Sequence, residues 1–324
     1  MFDEILSQFT LPRVVDVVSV GSGLINATYR VTTDGGDYVL QKLHDVIPDA
    51  AASDMQAVTS FLAMHHRLVP MLTPTVTGAP FVRAADGSRW RVYPWIAGKI
   101  VDAVENVDMA RSAGMLVGDM HRLLATFDYT PKGSIPHFHD TAFILDELRS
   151  VRAELPADVA AIADDIITTL PSVIINDGPT QIIHGDLKIS NILFDENNHA
   201  VGVIDFDTLL VHHTEVDMGD ALRSWCNRTT EDDPHAVFSM EIFDAVIEGY
   251  ASHHPQPLLR QEGSRYLRGA KQITLELAAR FLVDVVRDNY FGYDTSKYPN
   301  RRSANIARAI GQHHYRRLAG LRLG

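Results

Sequence analysis

The sequence predicts an α+β chain in two lobes, a small β-rich N-terminal lobe and a larger, mainly helical C-terminal lobe. Three observations predict it. Strand-and-turn patterns fill the first hundred residues, helical periodicity dominates the remainder, and a polar loop between short apolar runs interrupts the helices at 181–206. The lobes meet at a hinge at 93–98, where Gly98 gives the backbone freedom, so 1–97 is one unit and 98–324 the other.

The elements follow in order. An apolar run at 14–20 leads into Gly21-Ser22-Gly23, and a second strand is expected at 27–32. A turn at Asp34-Gly35-Gly36 then returns the chain along a third strand at 38–43, a hairpin pattern. Residues 50–66 carry Met55, Val58 and Leu62 at helical spacing, and 73–94 reverts to strands around a turn at Asp86-Gly87. In the second lobe, helices are expected at 108–124, once or twice within 141–170, and at 216–226, 235–254 and 262–289. Between them, 181–183 and 201–204 are short apolar strands.

Composition narrows the function classes. Of 324 residues, 46% are hydrophobic, enough for one large core or two smaller ones. A formal net charge of −12 repels nucleic acid and anionic membranes, so neither is an expected partner. Cys226 is the only cysteine, which excludes an intramolecular disulfide. The acidic start and the absence of any run of 18 apolar residues give no signal peptide or membrane span, and a soluble cytoplasmic chain is the expectation.

The chemistry concentrates in Ile183-His184-Gly185-Asp186-Leu187-Lys188-Ile189-Ser190-Asn191-Ile192-Leu193, followed by Val203-Ile204-Asp205-Phe206-Asp207. Phosphoryl transfer needs little covalent help; it needs a positioned nucleophile and neutralised phosphates. Asp186 suits a base that accepts or orients a hydroxyl proton. Asn191 and Asp205 supply the hard oxygen ligands that Mg²⁺ prefers, and His184 suits a brace for the loop. Apolar strands on both sides set this arrangement apart from a solvated turn. Gly21 and Gly23 begin a turn able to cover phosphates with backbone N–H groups, with Asn26 where a third glycine might stand. Lys42, on the third strand, stands where a lysine would pair with the α- and β-phosphates of ATP.

Other features are weaker. Asp217, Asp220 and Arg223 share a helical face just after the metal loop; they suit either substrate contacts or support for that loop. His137 and His139 beside Phe138 suit the closing of a sugar pocket, with a turn carrying exposed imidazoles as the default reading. The pairs His65-His66, His212-His213, His253-His254 and His313-His314 read as surface, because no ligand spacing completes a zinc set. Trp90, Trp95 and Trp225 read as core.

These motifs resemble the aminoglycoside phosphotransferase/choline kinase superfamily, which has a protein-kinase-like fold, from Gly21 to about Ala309. The resemblance implies ATP and Mg²⁺ as cofactors and a small-molecule hydroxyl acceptor, a sugar or an amino alcohol. It implies Lys42 as phosphate lysine, Asp186 as catalytic base, Asn191 and Asp205 as metal ligands, and the backbone of Tyr93, Trp95 and Ile96 as the adenine-binding hinge. Gly21, Gly23 and Asn26 would complete the nucleotide site. Lys188 adds charge beside the γ-phosphate, and Asp207, Asp220 and Arg223 are candidate acceptor contacts. Several stretches are similar to N-acetylhexosamine 1-kinases: 23–28, 39–42, 135–141, 217–223, and the tail with Tyr290-Phe291, Tyr298-Pro299-Asn300 and Arg308-Ala309. They imply the anomeric hydroxyl of an N-acetylated amino sugar as acceptor. Choline, homoserine or aminoglycoside acceptors are the alternative, and a non-catalytic nucleotide-binding protein a further one. Leu24 departs from the histidine expected in the sugar kinases, and no glutamate follows Lys42 to pair with it, only Asp54 and Gln56. A protein kinase would need an Ala-Pro-Glu segment after the metal aspartate, and Asp217-Met218-Gly219-Asp220 follows too soon to leave room for one.

Overall fold

The computed structural model describes residues 2–20, 26–253 and 260–319. A short helix, α1 (Phe2–Leu6), packs Ile5 and Leu6 onto an antiparallel sheet of β1 (Val14–Ser19), β2 (Ala27–Thr33), β3 (Gly36–Leu43), β4 (Val82–Arg83) and β5 (Arg89–Pro94). The strand order is β1-β2-β3-β5-β4. One face of this sheet, with Val31, Leu40, Trp90 and Val92, closes against α1. The other lies against α2 (Asp49–Met64), where Val39, Met55, Val58 and Tyr93 join the largest core.

That core does not stop at residue 97. It runs from β3 and α2 through α3 (Val107–Leu124) into the helical lobe, so the hinge crosses a continuous apolar interior. The chain beyond β5 is itself docked: Lys99 and Phe194 exchange backbone hydrogen bonds of 2.8 and 3.0 Å.

The second lobe comprises α4 (Thr141–Val151), α5 (Ala157–Thr169), α6 (Thr214–Trp225), α7 (Met240–Ala251), α8 (Arg260–Arg287) and α9 (Arg301–Ala319). Two small antiparallel pairs lie within it, β6 (Gln181–Ile183) with β9 (Leu210–His212) and β7 (Ile192–Phe194) with β8 (Ala200–Val203). The expected helix within 141–170 is two helices, because Leu155-Pro156 leaves the helical region. The helix expected from 235 starts only at Met240, capped by Ser239 Oγ accepting from Ile242 N–H. α1, β9 and α9 were not expected. α6 and α8 cross at Gly219 and Gly269; a Cβ on Gly269 would stand 2.0 Å from Glu215 O, so only glycine permits this approach.

Among the described residues no helix is long and apolar enough to cross a membrane. Trp90 and Trp225 are buried, whereas Trp95 is 37% exposed, with the Arg30 guanidinium 4.8 Å from its ring centroid. Of the histidines read as surface, His213 and His313 are buried instead: His213 Nδ1 meets Pro179 O at 3.0 Å and His313 Nε2 meets Asp165 at 2.5 Å.

Candidate active site

β6 is short and fully apolar at Ile182 and Ile183, so the chain leaves the core abruptly at His184. Gly185 follows with φ +85°, and a Cβ there would lie 2.4 Å from Thr208 O. Only glycine permits both the backbone and the contact. The loop is then held from below. Asp217 on α6 accepts from His184 N–H (2.8 Å) and Gly185 N–H (2.7 Å), while His121 of α3 meets the same carboxylate at 2.9 Å. His184 Nε2 donates to Ile204 O (3.0 Å), tying the loop to the segment after β8. Asp217 and His184 are therefore loop supports.

This frame brings Asp186, Lys188, Asn191 and Asp205 together. Lys188 Nζ lies 2.5 Å from Asp186 Oδ2 and 4.0 Å from Asp205 Oδ2. Asn191 donates through Nδ2 to Asp186 O (2.8 Å) and to Asp186 Oδ2 (3.2 Å). Its backbone O accepts from Ile204 N–H (3.0 Å), which sets Asn191 and Asp205 side by side at the open end of the β7–β8 hairpin. Asp205 adopts a left-handed backbone, φ 70° and ψ 58°, a strained choice for a non-glycine residue. Burial opposes the Asp186 charge, but the Lys188 ammonium outweighs it and holds that carboxyl below its usual range. Asp205 goes the other way: burial, with Asp207 and Asp186 nearby, pushes its pKa up despite Lys188.

Lys42 is not part of this cluster. It pairs across the sheet with Trp90 and shares the β3 face of Leu40, with its ammonium 5.7 Å from the Trp90 ring centroid. That face belongs to α1, the opposite side from the carboxylates. Gln41 occupies the cleft-side face, opposite Arg91 of β5. Arg91 is 1% exposed and grips Asp207 with both Nη atoms (Nη2 to Oδ2, 2.9 Å), while Nε and Nη2 donate to Gln41 Oε1 at 2.9 and 2.7 Å. Asn26 Nδ2 donates to the same Asp207 carboxylate (2.8 Å), and Asn26 Oδ1 accepts from His44 N–H (3.0 Å). Asp207, expected as an acceptor contact, is thus consumed by a clamp between the lobes. Asn26 acts as part of it. The only signal for Arg91 in the sequence was an arginine inside the apolar strand Trp90-Arg91-Val92-Tyr93.

The remaining expected residues divide. Gly21 and Gly23 lie outside the described residues. Tyr93 is buried, and Trp95 N–H donates to Asp37 O (2.9 Å). Pro94 has no N–H, so Ile96 is the next residue able to offer one to a nucleobase. Arg223 is buried and spent on Asp220 Oδ1 (Nε 3.1 Å, Nη2 2.8 Å) and Glu231 (3.0 Å). Asp220 Oδ2 is buried with no partner among the described residues, and burial and nearby Asp186 raise the Asp220 pKa. Asp54 does not reach Lys42; it accepts from Tyr129 OH (2.6 Å) and Lys132 N–H (2.9 Å).

His139, expected to be exposed, is 5% exposed. Its Nδ1 meets Glu276 Oε1 at 2.8 Å and its Nε2 meets Gly185 O at 2.7 Å, two acceptors that demand a doubly protonated ring. Burial opposes that charge, yet Glu276 raises the His139 pKa above its ordinary value, and Glu276 is itself lowered. The stabilisation is complete below the unfolded histidine pKa of about 6.5 and is lost as pH rises through the higher folded value. Thermal stability of the wild type is expected to fall on that alkaline side, and His139→Gln to flatten the dependence. An identical slope in the two proteins counts against the ion pair.

The comparison with known sequences decides the family: residues 16–255 match the model described as the phosphotransferase enzyme family, APH. The chain belongs to that family. In this phosphotransferase the loop after β6 and the β7–β8 hairpin bring Asp186, Lys188, Asn191 and Asp205 together. A homoserine kinase of Zymomonas mobilis subsp. mobilis is 24% identical over 278 residues, 84% of this chain and 80% of that protein. Among solved structures, a microcompartment-associated aminopropanol kinase superposes with a TM-score of 0.69 at 18% identity, covering 98% of each chain. An amicoumacin kinase in complex with AMP-PNP and Ca²⁺ gives 0.65 at 16% identity, covering 94% of this chain and 90% of that one. These structures show that the phosphotransferase shares their kinase-like fold, a small antiparallel lobe beside a larger helical one.

A divalent cation fits the phosphotransferase site. Asp205 is destabilised as an anion by its own neighbours, and Asn191 Nδ2 is committed to Asp186, leaving Oδ1 for an ion. Among the described residues no cluster of three or more His, Cys, Asp or Glu could hold a metal, so nucleotide phosphates and water must complete any shell.

Proposed function

We propose that this phosphotransferase uses Mg²⁺-ATP to phosphorylate a hydroxyl of a small amino alcohol or hydroxy amino acid. The observation that carries the reading is the convergence of Asp186, Lys188, Asn191 and Asp205, supported by the homoserine and aminopropanol kinases it resembles. Asp186, kept ionised by Lys188, orients the acceptor hydroxyl and takes its proton late in the transfer. Lys188 meets the negative charge of the γ-phosphate, and Asn191 and Asp205 would hold the cation, which would supply neutralisation of the phosphates. The backbone at Ile96 receives the adenine edge. Asp220, with an unused buried oxygen near Asp186, accepts from the amine or a second hydroxyl of the acceptor.

A sugar acceptor is the second reading, favoured by the stretches similar to N-acetylhexosamine 1-kinases, including Ile135-Pro136-His137-Phe138-His139-Asp140-Thr141. The test is an ATP-consumption screen over amino alcohols, hydroxy amino acids, hexoses and N-acetylhexosamines. Turnover confined to the first two groups is the expected result. Turnover confined to the N-acetylhexosamines establishes the sugar reading, and silence across all four removes both acceptor readings.

A further inference from the structure

Along α8, Gln272, Glu276 and Arg280 recur every four residues and form one polar stripe facing the 138–141 segment and the catalytic loop. The first two are used up. Gln272 accepts from Ile175 N–H (2.7 Å) and donates to Thr141 Oγ1 (2.9 Å). Glu276 gives one oxygen to His139 and the other to Thr141 Oγ1 (2.6 Å). Arg280 differs. Its guanidinium lies 5.3 Å from the ring centroids of Phe138 and Tyr290 and 5.4 Å from that of Phe291, and among the described residues no oxygen accepts a hydrogen bond from it. The half-buried arginines nearby are all satisfied: Arg265 by Glu215, Arg268 by the carbonyls of Val173 and Ile174, Arg308 by Gly292 O.

The box also borders the reaction centre. The Arg280 guanidinium lies over the Phe138 ring, and an edge carbon of that ring, Cε1, comes within 3.3 Å of where a Cβ on Gly185 would stand, one residue before Asp186. His139, the next residue, holds Gly185 O. Rings on several sides fix the guanidinium plane and leave its N–H groups to seek an acceptor. A quaternary ammonium has no place in a box that already holds a cation.

Resting on the kinase reading, we propose that Arg280 recognises the acceptor, and that the acceptor carries, besides its reacting hydroxyl, a carboxylate or amide oxygen for this guanidinium to bind. Hydroxy amino acids and N-acetylated amino sugars both present such an oxygen. Aminopropanol, choline and unacetylated amino sugars do not.

The experiment compares two matched pairs, homoserine with 3-aminopropan-1-ol and N-acetylglucosamine with glucosamine, in wild type, Arg280→Met and Arg280→Lys. Wild type is expected to favour the oxygen-bearing member of one pair by about ten- to a hundredfold in kcat/KM, the range for a hydrogen bond to a charged group, and the responding pair identifies the source of the oxygen. Arg280→Met erases that preference by raising acceptor KM and leaves KM for ATP unchanged; Arg280→Lys restores part of it. If Arg280→Met does not fold, Arg280→Lys alone carries the test through its acceptor KM. Preference for the stripped compounds, or an acceptor KM indifferent to either substitution, overturns the Arg280 assignment and leaves the kinase standing. Absence of phosphorylation with every acceptor removes both.

Discussion

Asp186→Asn is expected to lower kcat by about 10²- to 10⁴-fold, the usual contribution of a positioned general base, with the fold intact. The half-buried side chain sits at the end of the loop, and the loop's own supports are elsewhere, in Asp217, His184 and His139. Asp205→Asn is expected to abolish turnover as completely, with an opposite signature in stability. Asp205 carries a carboxyl whose charge burial, Asp207 and Asp186 all disfavour. Asparagine tolerates the left-handed backbone and removes the charge. The variant should therefore melt no lower than wild type, and higher if the repulsion dominates, while losing activity. Active sites commonly trade stability for function in this way. Coupled-assay kinetics beside melting curves of both variants check the pair of claims. Normal turnover in either one refutes the site; a cooperative loss of folding in Asp205→Asn refutes the account of its strain.

The chemistry of this site was legible because it is local in sequence. Asp186, Lys188 and Asn191 fall within six residues, and Asp205 is joined to them by a short hairpin, so strand patterns alone bring them together. The same applies to the small sheet, whose turns at Gly35-Gly36 and Gly87 punctuate it plainly. What was not legible depends on facing and on distant contacts. Both faces of β3 are covered, Leu40 by the α1 side and Val39 by the α2 side, so hydrophobic alternation does not reveal which side Gln41 and Lys42 take. A one-residue choice decides it. His139 reaches Glu276, 137 positions away, and the sequence around 137–141 reads as an ordinary polar turn without that partner. α9 escaped notice although Ala304, Ile306, Ala309 and Ile310 keep helical spacing, because its many arginines and histidines give the segment a low mean hydropathy.

The facing of β3 yields the sharpest contrast between homology and geometry. Resemblance assigns the phosphates to Lys42; the structure turns Lys42 toward Trp90 and puts Arg91 in the cleft-side layer. Lys42→Met is accordingly expected to leave KM for ATP within about twofold, since an exposed or half-exposed lysine over a ring contributes about 0.5–1 kcal/mol. Arg91→Met strands the Asp207 carboxylate in the interior, and breaking a buried pair from one side costs about 3–5 kcal/mol. Replacing both partners together, Arg91→Met with Asp207→Leu, removes the stranded charge and should recover much of that loss. Turnover should stay low in the double variant, because the clamp joins β5 to the turn that carries Asp205 two residues before Asp207, and no apolar pair fixes that register through hydrogen bonds. Chemical denaturation and ATP kinetics across the three proteins separate the two roles. A double variant with full activity makes the clamp purely structural, whereas a large rise in KM for ATP in Lys42→Met returns the phosphates to the lysine.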